Sequence, residues 1–307
     1  MHGHLFTSSR PSLALSVLLC AALFFTLVGC EQATETPEVS EAITTSGIET
    51  VLAGQLLTAK KTATATADLS EYPALDRDMA YKIQLKAFRT ESEGSDYLIG
   101  WKMGGTRVVD PAVPADPSFA YILRTDSLAN AAHVPNTNYV DGDLLVEAEI
   151  AFIMGQDLQG GNHSMEEVMN AVAEVAGAIE LIDIRIVAGD DGVAPHIDHM
   201  IAANLSHAGV ILTEERRPLN GFDLVSESAV VLVDGEEKAS GSGSQIMGTT
   251  PMDALFWIAN ALPEHGLYLR AGDVVITGSL YDNPTIVAGN TAEVRFDSFG
   301  TISVSMD

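Results

Sequence analysis

The chain has 307 residues, enough for one large domain or two modest ones. Hydrophobic residues make up 47% and aromatics 6%, which suits a globular core and excludes a disordered chain. Lys and Arg total 16 against 42 Asp and Glu, a formal net charge of -26 whose field repels phosphate backbones and argues against a nucleic-acid partner.

The first element is a targeting segment. Arg10 precedes an apolar stretch from Leu13 to Val28, short for a spanning helix, which ends Leu27-Val28-Gly29-Cys30. Residues 1–29 read as a signal peptide, and their end is similar to a bacterial lipobox, in which Cys30 becomes the acylated first residue. An uncleaved anchor helix is the alternative. Glu31 and Gln32 follow with no Asp, so the expected location is the cell envelope, lipid-anchored in the outer membrane and facing the periplasm. The lipid would be the only contact with a membrane. Cys20 falls in the removed segment, so no disulfide is expected. Residues 30–67, rich in Thr, Ala and Glu, read as a flexible tether with a short helix near Ile48 to Leu57, which leaves residues 68–307 as the folded domain.

Within that domain a helix is expected over residues 73–90, where Leu75, Met79, Ile83 and Ala87 recur every fourth position. A second is expected over 165–178, opened by the capping-box pair Ser164 and Glu167 and carrying Val168, Ala171, Val172 and Val175 as its apolar stripe. A third follows Pro251 over 252–262. Strand candidates are YLIGWKM, LLVEAEIAFIM, AIELIDIRI, AGVILT, SAVVLVDG, DVVITGS, AEVRFDS and TISVSM. Many strands without regular β-α alternation predict an α+β fold rather than a doubly wound sheet.

The run LLVEAEIAFIM has the length and flanking turns of a buried strand, yet carries Glu147 and Glu149. Alternation puts both carboxylates on one face, about 7 Å apart along the strand, with Ala148 and Ile150 on the other. Two unrelated glutamates on a solvated face are one reading; a shared divalent cation is the other. Glu180, in an equally apolar run, is the best third ligand. Three oxygen ligands with open positions suit Mg²⁺ or Mn²⁺, whereas zinc wants more nitrogen or sulfur. Lys102, between apolar neighbours, reads from its residues alone as a snorkelling surface lysine. His196-Ile197-Asp198-His199 read as a surface or lid loop, and Gly241-Ser242-Gly243 followed by Gly248 does not fit a dinucleotide-binding spacing.

The blocks VEAEIAF, AIELIDIRI, AYKIQ, IGWKMGGT, SGSGSQIMGTTPMDALFWIANAL and LRAGDVVITGSL, in this order-compatible set over residues 70–307, resemble the 2-keto-4-pentenoate hydratase family. That family also holds 2-oxo-3-hexenedioate decarboxylases and lies in the fumarylacetoacetate hydrolase superfamily. The resemblance implies a mixed β-sandwich roll with a smaller N-terminal α/β part, and a homo-oligomer. It implies Mg²⁺ or Mn²⁺ on Glu147, Glu149 and Glu180, catalytic Lys102 and Ser206, and a substrate side lined by Gly104, Asn204 and Thr277. The implied reaction adds water to a 2-hydroxy-2,4-dienoate or 2-oxo-4-enoate through a metal-stabilised enolate, the partner being a small 2-oxo acid. Decarboxylation of a related 2-oxo acid, or binding without turnover, are the alternatives. Three departures fall on the expected substrate side: Ala203 and Ser118 where acidic residues are expected (Asp116 lies two positions before Ser118), and Gly248-Thr249-Thr250-Pro251 in place of Gly-His-Pro. Few basic residues lie near these motifs, which disfavours a second carboxylate on the substrate and favours hydration.

Overall fold

Strand pairing rather than helix alternation organises the chain. The computed structural model describes residues 45–66, 69, 75–93, 97–186 and 196–307. The elements run α1 (Thr45–Thr62), α2 (Arg77–Ser92), β1 (Leu98–Gly104), β2 (Ser118–Leu123), β3 (Ala132–Val134), β4 (Asp143–Met154), α3 (Met165–Ala171) and β5 (Val172–Ile182). They continue α4 (Ile197–Ala202), β6 (His207–Leu212), β7 (Ser228–Val233), β8 (Glu236–Ser242), α5 (Met252–Ala261), β9 (Val274–Ile276), β10 (Thr285–Val287), β11 (Thr291–Phe296) and β12 (Gly300–Met306).

One sheet has the order β2-β1-β9-β4-β5-β6, with β10 added on β4; the second has the order β3-β12-β11-β7-β8. β1 pairs with β9 and β3 with β12 in parallel, and the other pairs are antiparallel, so both sheets are mixed or nearly all antiparallel, as an α+β fold requires. The sheets meet face to face through small-on-large packing. Gly177 of β5 lies under the Phe296 ring of β11, and a Cβ there would come within 2.8 Å of the ring. A tight aromatic group anchors the other end, where Phe119 of β2 stacks on Tyr81 of α2 at 4.4 Å and meets Trp101 edge-on at 5.6 Å.

All of these elements belong to one unit, Ile43–Asp307. The signal peptide of residues 1–29 and the acylated Cys30 lie outside the described residues. The tether expected over 30–67 needs correction in its described part, 45–66: α1 is a full helix whose Leu52, Ala53, Leu56 and Leu57 are buried in the main core, with Ala59 also buried. The helix covers more than the expected Ile48 to Leu57, because these apolar residues form one stripe that the surrounding Thr and Lys dilute in composition but not in geometry. A second correction concerns residues 165–178. The capping box forms, with Ser164 Oγ accepting from the Glu167 amide and Glu167 accepting from the Ser164 amide, but the helix ends at Ala171 and Val172 begins β5. Val172 and Val175 fit both periods, and pairing between β4 and β6 decides for the strand.

Candidate metal centre

The two glutamates of β4 meet a third carboxylate on the neighbouring strand. In the antiparallel register Glu147 lies opposite Glu180 of β5, and Glu149 lies opposite Ala178, so one pleat face carries all three carboxylates. Ligand oxygens from the three lie within 4.8 Å of one another. Glu149 and Glu180 are fully buried and Glu147 is half-buried, which excludes the solvated-face reading. Among the described residues, Glu149 Oε1 and Glu180 Oε2 are buried without a hydrogen-bond partner. Such orphaned charged oxygens are costly, and an all-oxygen set with two spare acceptors is what a hard divalent cation takes up. The residues therefore fit Mg²⁺ or Mn²⁺.

Each carboxylate is aimed by a neutral or cationic donor. The Gly278 amide donates to Glu149 Oε2 at 2.5 Å. Gly278 has φ +106, and a Cβ there would strike Thr106 Oγ1 at 1.9 Å, so this donor position admits only glycine without strain. Asn283 Nδ2 donates to Glu147 Oε1, and Ser279 Oγ in turn donates to Asn283 Oδ1 at 2.7 Å. Glu180 Oε1 has two partners, Lys102 Nζ at 3.1 Å and His207 Nδ1 at 2.7 Å.

Burial and the neighbouring Glu180 push Glu147 up to about 7, and burial with Glu180 and Glu147 pushes Glu149 well above the usual carboxylate range. Glu180 is brought down to about 2: burial alone would raise it, but the Lys102 ammonium and the His207 hydrogen bond outweigh burial. Lys102 is likewise held above its ordinary value, because the charges of Glu180, Glu147 and Glu149 outweigh its burial. Its side chain, 4% exposed, is a caged ammonium and not a snorkelling surface lysine.

Lys102, Gly104 and Glu147 line one cavity of about 250 Å³, together with Met103, Val109, Tyr281 and Asn283. Three other expected site residues are absent from that lining. Asn204 spends its amide on the Tyr121 backbone, accepting from Tyr121 N and donating to Tyr121 O, both at 3.0 Å. Thr277 donates its hydroxyl to Ile150 O at 3.1 Å. Ser206 is buried with no hydrogen-bond partner for Oγ among the described residues, in a turn where Asn204, Leu205 and Ser206 all have positive φ. That turn brings the Leu205 carbonyl to 3.5 Å from Lys102 Nζ, so its backbone rather than Ser206 Oγ meets the lysine. None of Asn204, Ser206 and Thr277 lines this cavity.

The departures also sort out. Asp116 forms a paired contact with Arg77 at 2.7 Å and is not turned to the triad. Thr249 borders a separate groove beside Phe256 and Trp257. Asp198 of the His-Ile-Asp-His stretch opens α4 and pairs with Arg77 at 3.0 Å, so the expected loop is a helix start. Two residues escaped the sequence reading. His207, fully buried, fixes Glu180 and faces Asp126 at 3.9 Å. Arg107 lines the cavity and is one of the few basic residues near the motifs. Both follow directly on motifs already singled out, at Asn204-Leu205-Ser206 and at Gly104-Gly105-Thr106.

The family model for the C-terminal part of fumarylacetoacetate (FAA) hydrolase matches residues 102–306. A 2-hydroxyhexa-2,4-dienoate hydratase of Comamonas testosteroni is 28% identical over 264 residues, covering 81% of this chain and 94% of the relative. A 2-keto-4-pentenoate hydratase of Burkholderia vietnamiensis is 28% identical over 235 residues, covering 75% and 86%. The solved structure of 4-oxalocrotonate decarboxylase from Pseudomonas putida G7, complexed with magnesium and adipate, superposes with a TM-score of 0.78 at 22% identity. It covers 85% of this chain and 98% of that one, a likeness of fold.

Proposed function

Because the chain belongs to the fumarylacetoacetate hydrolase family, we propose that it is a lyase, dependent on Mg²⁺ or Mn²⁺, that adds water to a 2-hydroxy-2,4-dienoate or its 2-oxo-4-enoate tautomer. The observation that carries this reading is the convergence of Glu147, Glu149 and Glu180 beside Lys102 at the wall of one small cavity. The relatives named as hydratases support the reaction, and the neighbour complexed with magnesium supports the ion. When bound, the cation supplies Lewis-acid stabilisation of negative charge on an oxygen of the substrate.

The chain's own residues supply the rest. Glu147, Glu149 and Glu180 hold the ion. Gly278, Asn283 and His207 keep those carboxylates from turning away. Lys102 holds a proton on Nζ, caged at the cavity wall, where an ammonium attracts the carboxylate of a 2-oxo acid and can deliver a proton to its 2-oxygen as negative charge develops there. Met103, Val109 and Tyr281 give the cavity apolar wall for the carbon chain. Water then adds across the conjugated double bond, hydroxyl to one carbon and proton to its neighbour.

Purified protein with Mg²⁺ or Mn²⁺ and a panel of 2-hydroxydienoates tests this. Loss of dienoate absorbance that disappears in Glu149→Gln supports hydration, and release of CO₂ would redirect the assignment to decarboxylation. Saturable binding with no turnover of any member would assign a binding protein instead. The envelope location belongs to the same proposal: a fatty-acid probe should label the chain in cells and fail to label Cys30→Ala. A homo-oligomer is the expected assembly, to be read from light scattering.

A further inference from the structure

The cavity beside the triad has two cationic groups among its described lining residues, and they differ in what they face. Lys102 is turned inward, with Nζ on Glu180 at 3.1 Å and 3.5 Å from the Leu205 carbonyl. Arg107 is turned outward from the triad's cage. Its guanidinium is paired with Asp282, whose side chain is 90% exposed, and its Nε donates to Gln245 at 3.4 Å. The arginine side chain itself is 24% exposed.

The position of Arg107 is fixed by its backbone. Thr106 O accepts from the Met247 amide at 2.7 Å, the Val108 amide donates to Gln245 O at 2.8 Å, and Arg107 bridges to Ile246. Thr106 Oγ1 donates to Thr277 O at 2.7 Å. A guanidinium on so firmly held a segment is preorganised for a planar anion. Its present partner competes weakly, because an exposed ion pair contributes only about 0–1 kcal/mol. Met103, Val109 and Tyr281 in the same lining offer apolar contact, and Glu147 is the one carboxylate among the described lining residues. The volume of about 250 Å³ falls below the roughly 300–1,000 Å³ common for ligand sites, so the occupant is small.

We infer that Arg107 receives the distal carboxylate of the substrate, and that the preferred substrates are unsaturated 2-oxo dioic acids rather than monocarboxylic ones. This rests on the proposed reaction for the identity of the 2-oxo end. It reverses the expectation of a monoacid drawn from the scarcity of basic residues near the motifs. The Arg107 guanidinium replaces its contact with Asp282 by a bidentate contact with the incoming carboxylate.

The test uses the full chain with Mn²⁺ and two dienoates of similar length, one ending in a carboxylate and one in a methyl group. The wild type is expected to favour the diacid in kcat/KM by at least about 10-fold. In Arg107→Gln the diacid-to-monoacid ratio should fall by roughly 10–100-fold, and Arg107→Lys should restore part of it, since an ammonium keeps the charge but loses the fork. Asp282→Asn should lower KM for the diacid by removing the competitor. Calorimetric binding of heptanedioate and heptanoate, neither of which can react, gives a readout free of turnover: Arg107→Gln should weaken the diacid at least about 10-fold more than the monoacid. A wild type that favours the monoacid, or a variant that affects both acids alike in both assays, overturns the inference while leaving the hydratase reading standing. Diacid binding through Arg107 without consumption of either dienoate upholds the inference on ligand class and sinks the reaction.

Discussion

His207→Leu offers a direct measure of how strongly the metal site depends on residues behind it. Glu180 is held at about 2, so it is an ionised, acceptor-only carboxylate, and His207 Nδ1 at 2.7 Å must carry the hydrogen between them. A hydrogen bond to a charged group contributes about 1.5–3 kcal/mol net. Loss of a residue that orients a ligand typically costs about 10–100-fold in metal affinity, which corresponds to about 1.4–2.8 kcal/mol. The two ranges overlap, and Glu180 keeps Lys102 at 3.1 Å, so a loss near the lower end, about 10–30-fold, is expected in His207→Leu. Isothermal calorimetry of Mn²⁺ binding reads the change, with the thermal midpoint of the metal-free variant as the check on folding. His207→Asn should recover part of the affinity, because an Asn side-chain nitrogen sits at the same remove from the backbone as imidazole Nδ1. If folded His207→Leu binds Mn²⁺ within about 3-fold of wild type, the carboxylate does not rely on the histidine and the reasoning fails.

Metal binding should also be pH-dependent. Glu147 is raised to about 7 in the fold, so between the ordinary carboxylate value and about 7 the native metal-free protein holds a proton that the unfolded chain has released. Stability of chelator-treated protein therefore falls as pH rises through that window, and the shift of melting midpoint caused by Mn²⁺ should be larger near pH 8 than near pH 6 in scanning calorimetry; equal shifts would contradict the assignment. The N-terminal boundary can be tested by comparing chains that begin at residues 43 and 68. Removing the buried Leu52, Leu56 and Leu57 forfeits roughly 5–9 kcal/mol as an upper bound, so the shorter chain should unfold at much lower denaturant, and equal midpoints would show that α1 is dispensable.

What could be read from the chain, and what could not, follows from the range of the interactions involved. β4 was legible because its length, flanking turns and alternation are local, and the shared face of Glu147 and Glu149 follows from the pleat alone. That Glu180 stands directly opposite Glu147 is a matter of register between residues far apart in the chain, and no local pattern states it. Lys102 looked like a surface residue because its neighbours Trp101 and Met103 are apolar; only the three carboxylates across the sheet explain its burial. Thr277 and Asn204 lie near the site in sequence terms, yet their side chains are consumed by backbone groups of Ile150 and Tyr121, which a motif cannot reveal. β2 went unread although Ser118–Leu123 is wholly buried, since the continuous apolar run from Phe119 to Leu123 carries no period to recognise.

The helix mistaken for tether is also joined electrically to the metal ligands. Lys60 near the end of α1 lies 3.0 Å from Glu91 of α2 and 3.6 Å from Asp126. Asp126 accepts from the Leu123 amide at 2.8 Å and faces His207 Nε2 at 3.9 Å, while His207 Nδ1 donates to Glu180. Lys60, Asp126, His207 and Glu180 thus succeed one another from α1 inward, each carboxylate beside a basic side chain, because a carboxylate this deep is tolerated only with a partner. Taking away α1 would leave Asp126 without the Lys60 ammonium, 3.9 Å from the His207 ring on which Glu180 depends. α1 therefore belongs to the folded enzyme: the helix contributes core area and also the ammonium at the outer end of the series that reaches the triad.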